Sequence, residues 1–69
     1  MNDAKRKRLT EIATEITMMI DGETQDLKDL PDNIEMAERS KMVTAFALSI
    51  QHLKHAREAI QLARSVSHA

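Results

Sequence analysis

The chain has no cysteine, tryptophan or tyrosine, and only one phenylalanine, one glycine and one proline among its 69 residues. Without cysteine there is no disulfide, no thiolate metal site and no cysteine nucleophile. Without tryptophan and tyrosine the chain lacks the side chains that bury most area each, and nucleic-acid bases have almost nothing to stack on. A single glycine rules out a glycine-rich phosphate loop. The longest apolar-rich run, residues 42–50, is too short to span a bilayer, and no signal-peptide pattern opens the chain. These absences predict a soluble, cytoplasmic protein that neither enters a membrane nor carries a cofactor. They also leave one common way to stabilise so small a domain, which is oligomerisation.

What is present is helical periodicity. Upstream of Pro31, Leu9, Ala13, Ile16, Ile20, Glu23, Leu27 and Leu30 alternate four- and three-residue steps, and Ile12 and Met19 widen the same face. This spacing predicts one helix over about residues 3–29, capped by Asn2 or Asp3. Gly22 falls inside it as a tolerated weak point, destabilising by roughly 1 kcal/mol relative to alanine. Leu30-Pro31-Asp32-Asn33 is a turn signal, so the corner is expected over 30–32. Asp32 followed by Glu35 reads as a capping box, which predicts a second helix over about 33–66. Its expected seam is Met42, Ala45, Ser49, His52, Ala56, Ala59, Ala63 and Val66.

A short connection between two long helices makes them antiparallel neighbours. The expected fold is all-α, an antiparallel two-helix hairpin in a single domain. In the second helix the small residues Ser49, Ala56 and Ala63 recur every seven positions, beside the bulky Phe46, Leu53 and Ile60. A small stripe lets another helix approach closely and a bulky one seals the contact. One partner helix covers only one stripe of the apolar segment 42–50, leaving Val43, Leu48 and Ile50 outside. The hairpin is therefore expected to assemble into a bundle, with Met42, Phe46, Ser49, Ile50, Leu53, Ala56 and Ile60 as interface residues.

Charge is sorted along the chain. Residues 21–41 carry a net charge of −4 and the remainder +3, within a total of −1. Folding the hairpin is expected to make the corner acidic and to gather bases at the open end. Lys5, Arg6, Lys7, Arg8, Lys54 and Arg57 are the candidate anion-binding set. The run from Lys5 to Arg8 opposes the dipole of its own helix, which an anionic ligand would relieve. Duplex nucleic acid is disfavoured by the isoelectric point near 6.3 and by the acidic corner. Antiparallel pairing of two hairpins, centred on Phe46 and Ile50, would set each acidic corner against the other's basic end.

Polar residues within the apolar pattern complete the reading. Glu23 at a seam position needs a partner, and Arg39 or Lys41 across the corner is the expected one. Met18 and Met19 read as core filling. His52 and His55 share a face, but no third ligand stands near them in sequence, so no metal site is expected. No Ser/His/Asp grouping is spaced for nucleophilic catalysis, and no enzymatic activity is expected.

The corner, with Glu23, Leu30-Pro31-Asp32, Ile34 and Glu38-Arg39, resembles a pattern in small helical-hairpin proteins of phages and prophages, Ala37 standing where those show a hydroxyl residue. The resemblance covers roughly residues 20–60 and implies a mobile-element origin. His52-Leu53, Ala56 and Ala59 are similar to the second helix of the phage hairpin family that sequesters cyclic-nucleotide immune signals. That likeness implies an oligomer trapping an anionic nucleotide between protomers. The expected function is thus a non-enzymatic, homo-oligomeric interaction protein that binds itself and a host or phage macromolecule. Sequestration of a cyclic nucleotide is the alternative.

Overall fold

A computed structural model describes residues 3–66. Among them the chain forms two α-helices packed against each other and no strand: α1, Asp3–Lys28, and α2, Met36–Val66. The expected helical hairpin is the observed fold. At about 1.5 Å per residue, α1 is about 39 Å long and α2 about 46 Å. The molecule measures 52 × 14 × 11 Å, longer than either helix. The two helices are therefore staggered, and each overhangs the other at one end.

The register follows from two hydrogen bonds between the helices. Ser49 Oγ donates to Glu23 Oε1 at 2.9 Å, and Arg57 Nη1 donates to Thr17 Oγ1 at 3.1 Å. Antiparallel continuation puts Ala13 level with Ile60, Ile20 with Leu53, and Leu27 with Phe46. It also puts the end of α1, Lys28, level with Ala45. The first two turns of α2 run past α1, and the corner segment lies back against them.

That geometry explains why α2 starts three residues later than the capping pattern predicts. The corner occupies 29–35 instead of 30–32. Asp32 and Asn33 make the turn that follows Pro31, and the backbone first becomes helical at Met36. The cap position belongs to Glu35, whose carbonyl accepts the amide of Arg39 at 2.9 Å. The Arg39 guanidinium reaches back and donates to the Pro31 carbonyl at 2.7 Å, tying the corner to the first turn of α2. Leu30 and Ile34 are half-buried in this reversal.

Helix α1 is built mostly from strong helix formers, with isoleucines and threonines set among them. Thr10, Thr14, Thr17 and Thr24 each donate their hydroxyl to the carbonyl four residues back, which satisfies each hydroxyl within the helix itself. The helix passes through Gly22 without a break. Asp3 in the first turn and Lys28 in the last complement the helix dipole, as do Glu38 and Arg64 in α2. The other expected N-terminal cap, Asn2, lies outside the described residues.

The core is very thin. Among the described residues only Ala13 and Ile20 are buried, and no side chain is fully enclosed. Leu9, Ile12, Ile16, Leu27, Phe46, Ile50, Leu53 and Ile60 are half-buried between or beside the helices. Met18 and Met19, expected as core filling, are 67% and 54% exposed. The face of α2 turned toward α1 runs through Met42, Phe46, Ser49, Leu53, Arg57, Ile60 and Arg64. The expected seam is rotated from this: Ala45, His52, Ala56, Ala59 and Val66 are exposed, while Met42, Ser49 and Ala63 are half-buried. The bulky stripe makes the hairpin contact, because long side chains fill the gap between two helices and alanines do not.

Candidate interaction surface

The Ser49–Glu23 and Arg57–Thr17 hydrogen bonds mark opposite sides of the hairpin, and the sides differ in chemistry. Residues three, four, seven or eleven positions from Glu23 and from Ser49 share their side, because those steps return to one face of a helix. On α1 they are Ile12, Ile16, Met19 and Asp26, with Ile20 and Leu27 at the packed edge. On α2 they are Glu38, Met42, Ala45, His52, Ala56 and Ile60, with Phe46 and Leu53 at the packed edge and Ala63 seven residues beyond Ala56. This side carries Asp26 and Glu38 toward the corner and Lys5, seven residues before Ile12, toward the other end. Between them, apart from the Glu23–Ser49 pair and His52, it is apolar. The same steps from Thr17 and Arg57 give Thr10, Thr14, Asp21, Thr24 and Lys28 on α1. On α2 they give Ile50, Lys54, Gln61 and Arg64. That side is polar.

At the centre of the apolar side, Glu23 is half-buried. One carboxylate oxygen accepts from Ser49, and the other, Oε2, is buried without a hydrogen-bond partner. The expected partners were Arg39 and Lys41. Both stand level with the corner, roughly 15 Å along the axis from Glu23, because of the stagger between the helices. Arg39 is engaged by Pro31, and Lys41 lies 3.9 Å from Glu38 in an exposed pair. Sequence reasoning missed Ser49, because it read that residue only as a small one permitting close approach.

The candidate interface residues divide between the sides. Met42, Ser49, Ala56 and Ile60 lie on or bordering the apolar side. Phe46 and Leu53 face α1. Ile50 lies on the polar side and is half-buried instead of exposed. Val43 and Leu48 are exposed as expected, at 39% and 50%. Leu48, Leu62 and Val66 lie further round the back of α2.

The candidate anion-binding set also divides. Lys5, Lys7 and Arg8 are exposed near the start of α1, and Arg6 is half-buried there with its Nε buried and without a hydrogen-bond partner. Arg8 lies 3.3 Å from Glu11 and 3.9 Å from Glu15. Arg57 and Lys54 stand near the middle of the rod, about 15 Å along the axis from Lys7. The expectation that all these bases meet at the open end fails on the register: antiparallel folding pairs Arg57 with Thr17, not with the first turns of α1. Arg57 is half-buried, its guanidinium donating to the Thr17 hydroxyl.

His52 and His55 are both exposed on α2, and among the described residues no three metal-ligating side chains come together. A concavity of about 270 Å³ is lined by Met36, Arg39, Ser40, Val43 and Thr44. All five belong to the start of α2, so it is an indentation in one helix surface. Among the described residues no helix is long and apolar enough to cross a membrane. No family model, curated protein or solved structure matches this chain.

Proposed function

We propose that this chain is a non-enzymatic binding module, a helical hairpin that works as a homo-oligomer and presents the assembled bundle to a macromolecular partner. The observation that carries the reading is the imbalance between what the hairpin buries and what it leaves outside. Among the described residues two side chains are buried, while Met18, Met19, Met36, Leu48, Leu62 and Val66 are each half or more exposed. Isolated exposed apolar residues are ordinary, but this density on a chain with so thin a core favours association. The accessible surface is 5235 Å². A compact monomer of 7.8 kDa is expected to expose about 4,400 Å². The excess follows from the rod shape, and lateral packing of rods removes it. The likeness of the corner to phage hairpin proteins supports a mobile-element origin for the module.

Sedimentation equilibrium across micromolar concentrations tests the proposal. A dimer or larger species is expected. A monomer that persists, with stable helicity, to hundreds of micromolar overturns it.

A further inference from the structure

The sequence pattern and the hairpin contact disagree in the same direction on both helices. On α1 the apolar stripe is widened by Ile12 and Met19, which stand beside the buried line through Ala13 and Ile20. On α2 the small-residue stripe through Ala45, Ala56 and Ala63 stands beside the contact line through Phe46, Leu53 and Ile60. In an antiparallel pair these two offsets fall on one side of the molecule, the side of the Glu23–Ser49 bond. The pattern is thus wider than one hairpin uses, and most of the surplus lies on one face. The opposite side has less: its α1 row is threonines, Asp21 and Lys28, and its α2 row adds Val43 and Ile50 to Lys54, Gln61 and Arg64.

We infer that this Glu23–Ser49 side packs on the same side of a second copy, the two hairpins antiparallel, so that each acidic corner lies beside the other's basic open end. The inference rests on the homo-oligomer proposed above and names its interface. Three features point to a second copy as the occupant. Between Lys5 at one end and Asp26 and Glu38 at the other, the face carries a single carboxylate, Glu23, with one oxygen on Ser49, so its middle does not call for a charged partner. The broad face of a rod 52 × 14 Å offers roughly the 800 Å² per partner that a standard interface buries. The ends are complementary, because residues 21–41 carry −4 while residues 3–12 and 61–66, which make up the open end, carry +3. Of those acids, Asp21, Asp26, Asp29, Asp32, Glu35 and Glu38 are all exposed. Parallel docking would set the two acidic corners together. The alanines at 45, 56 and 63 let the helices of the second copy approach closely, and Ile12, Ile16 and Met19 fill the space beside them.

The two-fold axis then passes near the middle of the rod. Met19 lies about 24 Å from the start of α1, close to half the length of the molecule. The chain has no cysteine among its described residues or elsewhere in the sequence, so a single engineered one reports on its own. Met19→Cys should form a covalent dimer under mild oxidation of dilute protein. Asp21→Cys, at nearly the same height on the polar side, should not. Both positions are exposed in the hairpin, and circular dichroism of the reduced variants should match the wild type. Efficient cross-linking at 21 and none at 19, in a chain that sedimentation shows to be dimeric, overturns the face while leaving the homo-oligomer standing. A mixed Met19→Cys and His52→Cys sample that cross-links between the two variants, with neither forming its own dimer, overturns the antiparallel orientation, because α1 then lies over α2 of the second copy. A monomeric wild type overturns the homo-oligomer and this interface together.

Discussion

Replacing Glu23 with leucine should stabilise the protein, although it removes a hydrogen bond. Glu23 is half-buried in the apolar stripe of α1, with Oε1 accepting from Ser49 at 2.9 Å and Oε2 buried without a partner. The bond to a charged acceptor contributes about 1.5–3 kcal/mol, and its loss is the unfavourable side of the exchange. Against it, removing a buried acceptor oxygen that has no partner recovers about 1–3 kcal/mol. A leucine there, partly enclosed, contributes about 1 kcal/mol of further apolar burial. Leucine and glutamate have similar helix propensity, so the backbone is indifferent. The Ser49 hydroxyl can turn to the carbonyl of Ala45 on its own helix, as the threonines of α1 do. The net is a stabilisation of about 1 kcal/mol, and each kcal/mol in a domain of this size raises the melting temperature by roughly 4–8 °C.

The companion variant Ser49→Ala removes the donor alone. It leaves both carboxylate oxygens without a partner and should destabilise by about 1–3 kcal/mol. The double variant should recover the stability of Glu23→Leu, because the alanine no longer strands anything. Melts followed by circular dichroism at one fixed protein concentration make the comparison, since self-association raises the apparent melting temperature of an oligomer. A Glu23→Leu protein that melts below the wild type refutes the reasoning. The carboxylate would then be contributing more through Ser49 than its burial costs.

Gly22→Ala should stabilise by about 0.5–1 kcal/mol, since the added methyl meets nothing within 4 Å and the residue is interior to α1; a melt unchanged or lowered would contradict this. Ile20→Ala, at a residue only 6% exposed, should destabilise by about 2–4 kcal/mol in urea titration. Met18→Ala, two residues earlier and 67% exposed, should change stability by less than about 0.5 kcal/mol in the same assay.

The sequence by itself determined the two helices and the corner, because the steps from Leu9 to Leu27 and the punctuation at Pro31 are local signals. It placed the end of α1 to within a residue, and it showed that the chain is sorted into an acidic middle and basic flanks. Tertiary structure decided everything that depends on how one helix slides and rotates against the other. The stagger is set by the folding-back of residues 29–35, where Arg39 reaches the Pro31 carbonyl, and no local pattern encodes that length. From it follow the pairing of Glu23 with Ser49 in place of Arg39, and the position of Arg57 at mid-rod in place of the open end. The rotation of α2 was hidden for a different reason. Its small and bulky stripes are both apolar at the same period, so periodicity alone selects neither. Packing selects the bulky one, because Phe46, Leu53 and Ile60 span the distance between two helix axes and alanine side chains fall short of it.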